Sequence, residues 1–262
     1  MVVIMEMVSL KVSNLIKPIV TILIILALWF YVTYFEIFNP YILPSPLRVL
    51  ETFMTMVQSG EMFENIIVSL VRVLQGFLLA FVCAFGLALF FYRHPKIYPY
   101  FSFIFEFMRN VPPLALIPLL ILWFGIGESS KIILIFLAAF FPIFLNIEKG
   151  FFSCDKQLIE VGKTLDMSEN TIFKKVVLPY ATEDILVGMR IGLGYSWRAI
   201  IGAEMIAAAS GLGYMILFAQ QMSRSDKILI GIIVIGLIGY LCDWLFRYII
   251  KKTIKEHQNE YD

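Results

Sequence analysis

The chain has 262 residues, 60% of them hydrophobic and only 16% charged, with a formal net charge of +1. Soluble domains run at about 45–50% apolar and about 25% charged, so this excess, laid out in long runs, excludes an ordinary soluble globular protein and indicates an integral membrane protein. The near-neutral balance gives no reason to expect a nucleic-acid partner. Cys83, Cys154 and Cys242 are scattered, and His94 and His257 have no ligand-spaced partners, which speaks against a metal or redox centre.

Lys11 and Lys17 precede a first apolar run at about 18–35. The run is too long for a secretory-leader core and no small-residue cleavage site follows, so a retained first span is expected. Residues 36–64 hold the breakers Asn39-Pro40, Pro44-Ser45-Pro46 and Gly60; the piece 47–57 has a helical period and is expected along the interface. A second run, about 65–92, is closed by Arg93-His94-Pro95-Lys96. The third, about 99–124, contains Pro112, Pro113 and Pro118, which a membrane helix tolerates where its neighbours satisfy the freed carbonyls. The fourth is about 130–147, the fifth about 185–209 and the sixth about 227–250, with a long polar loop at 148–184 and a charged tail at 251–262. Segment 210–226 is too short and polar to cross. The expected fold is an all-α polytopic membrane protein of about six transmembrane helices, with residues 1–262 forming a single domain.

Lysine and arginine are retained on the cytoplasmic side. With the N-terminus inside, that side holds Lys11, Lys17, Arg93, Lys96, Lys149, Lys156, Lys163, Lys174, Lys175, Arg247, Lys251, Lys252 and Lys255, against Arg48, Lys131, Arg224 and Lys227 outside. Thirteen against four puts both termini and the 148–184 loop in the cytoplasm. No internal repeat is visible, so an inverted-repeat carrier gains no support.

Within that loop, 160–179 (EVGKTLDMSENTIFKKVVLP) forms a polar island. Leu158, Val161 and Leu165 fall at i, i+3 and i+7 and predict one face of a short helix. Asp166-Met167-Ser168 interrupts the pattern, and the Ser168 hydroxyl is placed to cap a second helix. Ile172, Phe173, Val176 and Val177 give that helix an apolar face, and Pro179, having no N–H, is expected to end it. Two such helices with a bend between them make a compact knob suited to a soluble partner; the alternative is that they lie flat on the membrane surface.

This stretch resembles the cytoplasmic loop signature of ABC importer permeases, which reads roughly Glu-Ala-Ala, three residues, Gly, nine residues, Ile, any residue, Leu-Pro. Glu160 takes the Glu, Val161 and Gly162 the two Ala, Val176 the Ile, and Leu178-Pro179 the end. Asp166 departs from the family's Gly; Asp tolerates a left-handed turn less comfortably than Gly. Further stretches resemble the nitrate, sulfonate, taurine and bicarbonate branch: Leu43-Pro44-Ser45-Pro46, Ser69-Leu70-Val71-Arg72 with Gly76-Phe77, Pro112-Pro113-Leu114-Ala115, and Leu122-Trp123-Phe124-Gly125-Ile126-Gly127. Arg190-Ile191-Gly192-Leu193-Gly194, Ala203-Glu204-Met205 and Gly211-Leu212-Gly213-Tyr214 complete the set, over roughly residues 40–250.

The resemblance implies a non-catalytic transport subunit in a bacterial or archaeal inner or plasma membrane. It would form the translocation pathway with a second permease copy, usually as a homodimer. Two copies of an ATP-binding subunit would sit below, and a periplasmic or lipid-anchored solute-binding protein would deliver the solute. No cofactor is expected in this chain, with ATP-Mg bound by the partner ATPase. Gly162-Lys163-Thr164 is no phosphate loop, since Gln157 stands where its first glycine should be.

By the same resemblance, Glu160, Val161, Gly162, Leu165 and Asp166 are the ATPase-coupling residues; for Val161 and Gly162 the alternative is packing against their own spans. The pathway should be lined where polar groups enter apolar runs. Arg109 lies about ten residues, ~15 Å, into the third run. Arg109, Asn110, Arg198 and Glu204 are the candidate pathway residues, with Ser196 a further polar group. The alternative is internal pairing, Arg109 with Glu106 and Arg198 with Glu204. Arg72 and Arg190, nearer span ends, are expected to snorkel to the interface. Gly188 and Gly192 at i and i+4 predict close helix approach, and segment 210–226 is expected to form a short outer gate. Two midspan arginines favour a small anion such as nitrate, a sulfonate, taurine or bicarbonate; a thiamine-pyrimidine-like vitamin precursor is the alternative. An autonomous ion-coupled carrier or channel is the competing class.

Overall fold

A computed structural model describes residues 2–259, with side chains from 17 to 253. Lys11, Lys255 and His257 therefore lie outside the residues whose side chains are described. No strand occurs among the described residues. Helix α1 is Val2–Tyr34, α2 Pro46–Gln58, α3 Glu61–Arg93, α4 Tyr98–Asn110, α5 Ile117–Phe124 and α6 Glu128–Phe152. Helices α7 (Lys156–Thr164) and α8 (Glu169–Ile172) follow, then a π-helical turn at Phe173–Val177, α9 (Leu178–Ala207), α10 (Leu212–Gln221) and α11 (Ser225–Asn259). Among the described residues, four unbroken segments are long and apolar enough to cross a membrane: Lys17–Tyr34, Glu61–Arg93, Glu128–Phe152 and Ser225–Thr253. Two bent helix pairs raise the number to six if each is one span.

The first bent pair lies within the apolar run 99–124, which is sharply bent in its middle. Tyr98–Asn110 and Pro113–Phe124 meet at 90°. A residue before proline is pushed out of the α region, and two successive residues here precede one. Val111 (φ −75°, ψ 119°) and Pro112 (φ −63°, ψ 122°) are accordingly extended. Arg109 thus sits in the last turn of α4, beside the bend, and a depth counted along a straight helix does not apply to it.

The chain divides into two compact units. One comprises residues 1–62 and 216–232. In it Ser45 caps α2 by accepting from the Arg48 N–H, and Pro46 occupies the first turn, where no N–H is needed. The indole N–H of Trp29 donates to the Pro44 carbonyl at 3.0 Å. Asp226, 2% exposed, pairs with Arg224 at 2.7 Å and accepts from the Thr52 hydroxyl at 2.8 Å.

The second unit comprises residues 63–215 and 233–262 and is built around α6 and α9. Glycines let these helices touch. A Cβ on Gly188 would lie 2.7 Å from the Asn146 Cβ, and one on Gly192 2.5 Å from Ile143 Cγ1, so the Gly188/Gly192 pair does allow the close approach expected of it. Gly76 of α3 gives the same access to Ile135. Phenylalanines fill the remaining volume: Phe91 meets Tyr98, Phe105 and Phe144 at ring separations of 5.4, 5.7 and 6.1 Å, mostly edge-on, the geometry that ring quadrupoles prefer.

Pro179 does not end the second short helix. Helical geometry runs from Glu169 through to Ala207, and the ladder widens to a π-helical turn just ahead of Pro179. A proline inside a helix lacks its donor and strikes the carbonyl four residues back; one wider turn relieves both.

Candidate coupling surface and membrane cavity

The knob is α7, α8 and the turn between them. Asp155 caps α7 by accepting from the Gln157 N–H at 2.9 Å. At the other end Asp166 adopts φ 53°. Its N–H donates to the Lys163 carbonyl at 3.0 Å, and the Met167 N–H to the Gly162 carbonyl at 3.1 Å. These are the two bonds of a Schellman stop, so Asp166 does take the left-handed position that the family gives to glycine. Ser168 caps α8 as expected, accepting from the Thr171 N–H.

Gly162 is buried, and a Cβ there would stand 3.0 Å from Ile172 Cγ1, which brings α7 directly onto α8. Phe173 anchors the pair against Tyr92 and Phe151 at 5.4 and 5.2 Å, and Arg93 Nη2 donates to the Asn170 side-chain Oδ1 at 2.8 Å. Cys154, buried just ahead of α7, is held as a thiol, since burial and neighbouring Asp155 both push its pKa up. Seated in this way, α7 turns Leu158, Val161 and Leu165 outward, 47%, 56% and 64% exposed. Glu160 is exposed beside them and has no hydrogen bond or ion pair among the described residues. Of the five coupling candidates, Glu160, Val161, Leu165 and Asp166 are exposed and Gly162 is the packing residue.

A cavity of about 290 Å³ opens in the second unit between the α4–α5 bend, α6 and α9. Arg109, Asn146 and Tyr195 are its polar lining, and Phe141, Leu145 and Ile191 are among its apolar walls. Of the four pathway candidates only Arg109 lines it. Asn110 is exposed and donates back to the Glu106 carbonyl at 2.7 Å. Among the described residues Arg109 and Glu106 form no ion pair. Arg198 does not pair with Glu204; its guanidinium lies 5.7 Å from the centre of the Tyr195 ring, a cation–π distance. Asn146 and Tyr195 were missed, although Asn146 carries the same signal as Arg109, a polar group in an apolar run. Its amide donates to the Pro142 carbonyl at 2.8 Å.

Glu204 lies in a separate cluster, buried at Glu204 and open to solvent at Glu128. It is 0% exposed and accepts from Ser69 Oγ at 2.9 Å, Arg72 Nη1 at 2.8 Å and the Gly213 N–H at 3.0 Å. Arg72 does not snorkel: it is 5% exposed and also holds Glu128 through Nε and Nη2 at 2.6 and 2.7 Å. Lys131 completes the group at 2.8 Å from Glu128. Arg190 pairs with Asp243, with bonds of 2.5 and 3.1 Å, at a part-exposed position. In both cases the arginine meets a carboxylate on another helix, the pairing expected of ionisable groups within spans.

Comparison with known proteins agrees with this geometry. Residues 76–255 match the family described as binding-protein-dependent transport system inner membrane component. SsuC of Bacillus subtilis, named for aliphatic sulfonates transport, is 36% identical over 241 residues, covering 91% of this chain and 86% of the relative. The taurine transport system permease protein TauC of Escherichia coli is 33% identical, covering 90% and 88%. The nitrate import permease protein NrtB of Synechocystis is 31% identical, covering 94% and 91%. Among solved structures, an amino acid ABC transporter superposes with a TM-score of 0.63 at 15% identity, covering 76% of this chain and 98% of the other. The MetNI methionine transporter gives 0.61 at 18%, covering 76% and 97%, so the fold is shared well beyond sequence similarity. An all-helical chain with this knob, these bent spans and relatives aligned over nearly its whole length belongs to the binding-protein-dependent ABC importer permeases of the inner membrane.

Proposed function

We propose that this permease imports a small anion, of the sulfonate or nitrate kind, through the cavity at Arg109. The observation that carries the reading is the lining itself. Among the described lining residues Arg109 is the one charged group, none is a carboxylate, and most are apolar. A cation facing low-dielectric walls attracts an anion more strongly than it would in water. Arg198 adds positive charge behind the Tyr195 ring. Nitrate, named for one of the relatives, has the charge and size that such a cavity suits, and taurine, named for another, presents a sulfonate to the same cation.

The two units act as one permease domain, paired with a second copy. Two ATPase subunits grip the Leu158/Val161/Leu165 face, ATP-Mg stays in those subunits, and a binding protein delivers solute to the opposite face. Both termini and the knob lie in the cytoplasm. Arg109→Ala is expected to lower uptake of radiolabelled taurine or of nitrate at least tenfold, a loss of about 1.4 kcal/mol or more, while leaving the complex assembled. Arg109→Lys should retain part of the activity, since it keeps the charge but not the planar fork. Uptake at the normal rate by Arg109→Ala, with the complex shown intact by gel filtration, would remove Arg109 from the pathway.

A further inference from the structure

Helix α9 is an unbroken rod of 30 residues, about 45 Å long, leading from the π-helical turn of the knob to the break at 208–211. Beyond the break α10 starts at an angle of 43°. What a rod delivers at its far end depends on the joint there. This joint contains Gly211 at φ +108°, a conformation that gives the backbone little resistance to bending of its own.

The joint is nevertheless bonded at successive residues. The Ser210 carbonyl and hydroxyl accept from Arg72 at 2.7 and 3.1 Å. The Gly211 N–H donates to Asn65 Oδ1 at 2.8 Å, the Leu212 N–H to Ser69 Oγ at 2.9 Å, and the Gly213 N–H to Glu204 at 3.0 Å. Ser69 and Arg72 are themselves fastened to Glu204. A Cβ on Gly211 would collide with the Glu204 carboxylate, so the carboxylate occupies space that only glycine leaves open. Two cations, Arg72 and Lys131, balance two carboxylates, Glu128 and Glu204, leaving no surplus charge to recruit a solute.

We propose that Arg72 and Glu204 are positioning residues for transport. Their cluster locks the joint between α9 and α10, so that a displacement of the knob reaches α10 instead of being lost by bending at Gly211. The proposal goes beyond the anion reading and rests on the knob being the seat of the ATPase.

The test uses the whole permease–ATPase complex in lipid nanodiscs. ATP hydrolysis is measured with and without the purified cognate binding protein as the probe, so the solute need not be identified. Glu204→Gln is expected to leave basal hydrolysis within about twofold and to cut the stimulation by the binding protein about tenfold, because the coupling and not the motor is broken. A role confined to folding would lower both rates in proportion; a stimulation ratio equal to that of the unaltered complex overturns the proposal. If that variant fails to assemble, Arg72→Gln with Glu204→Gln keeps the cluster neutral, leaving Lys131 with Glu128, and is read by the same ratio with the same meaning. Failure of the knob assignment looks different: the ATPase would stay bound when Val161 and Leu165 are both replaced by aspartate, whatever Glu204 does.

Discussion

Gly192→Leu is expected to leave no folded permease in the membrane. The Cβ alone would stand 2.5 Å from Ile143 Cγ1 and 2.7 Å from its Cδ1, and the Ala139 carbonyl lies only 3.3 Å away. Ile143 is itself fully buried, so it has nowhere to retreat, and α6 would have to separate from α9 along their main line of contact. Overpacking a well-filled core by a few methylenes costs ~1–3 kcal/mol, and an entire side chain placed between two backbones exceeds that range. The measurement is the monodisperse fraction in detergent gel filtration, set against Gly194→Ala on the same helix. Nothing stands within 4 Å of a Cβ at Gly194, so that change should be neutral or add up to ~1 kcal/mol of helix propensity. Equal, normal recovery of both variants would show that the α6–α9 contact is looser than its geometry.

Val161→Asp combined with Leu165→Asp is expected to release the ATPase subunits while leaving the permease folded. Both side chains are more than half exposed, and substitutions at such surface positions usually stay within ~0.5 kcal/mol of neutral. Burying each in a partner's groove is worth ~1.5–3 kcal/mol. Losing both removes ~3–6 kcal/mol, a drop in affinity of about 10²–10⁴-fold. Co-purification of tagged ATPase with the variant reads the effect directly. Undiminished capture would mean that this apolar face rests on something other than the ATPase, and the importer reading of the knob would need another contact.

Local signals were legible where a single residue acts on its own neighbourhood. The Ser168 cap and the Leu158/Val161/Leu165 stripe were read from spacing along the chain, the left-handed Asp166 came from the resemblance to the family's loop signature, and the Gly188/Gly192 contact followed from helical periodicity. Pro179 was misread because a proline's missing donor can be absorbed by one wide turn as well as by a helix end, and the residues after it decide which. The bend after Asn110 was missed for a related reason. Hydropathy sums across Val111-Pro112-Pro113 without seeing that two successive pre-proline residues must leave the helical region.

The charged residues mark the boundary most clearly. The sequence by itself determined that this is a multi-span helical membrane protein with a polar knob, because apolar run length and short-range periodicity are properties of a one-dimensional string. It also singled out Arg109 and Arg198 as expensive and therefore meaningful, while placing Arg72 and Arg190 at the interface. Only the tertiary structure decided what each of them does: Arg72 is 132 residues from the Glu204 it binds, Arg190 is 53 from Asp243, and Arg109 meets Tyr195 only around one cavity. Which partner an arginine meets is set by what the fold brings beside it, and separation along the chain carries no information about that choice.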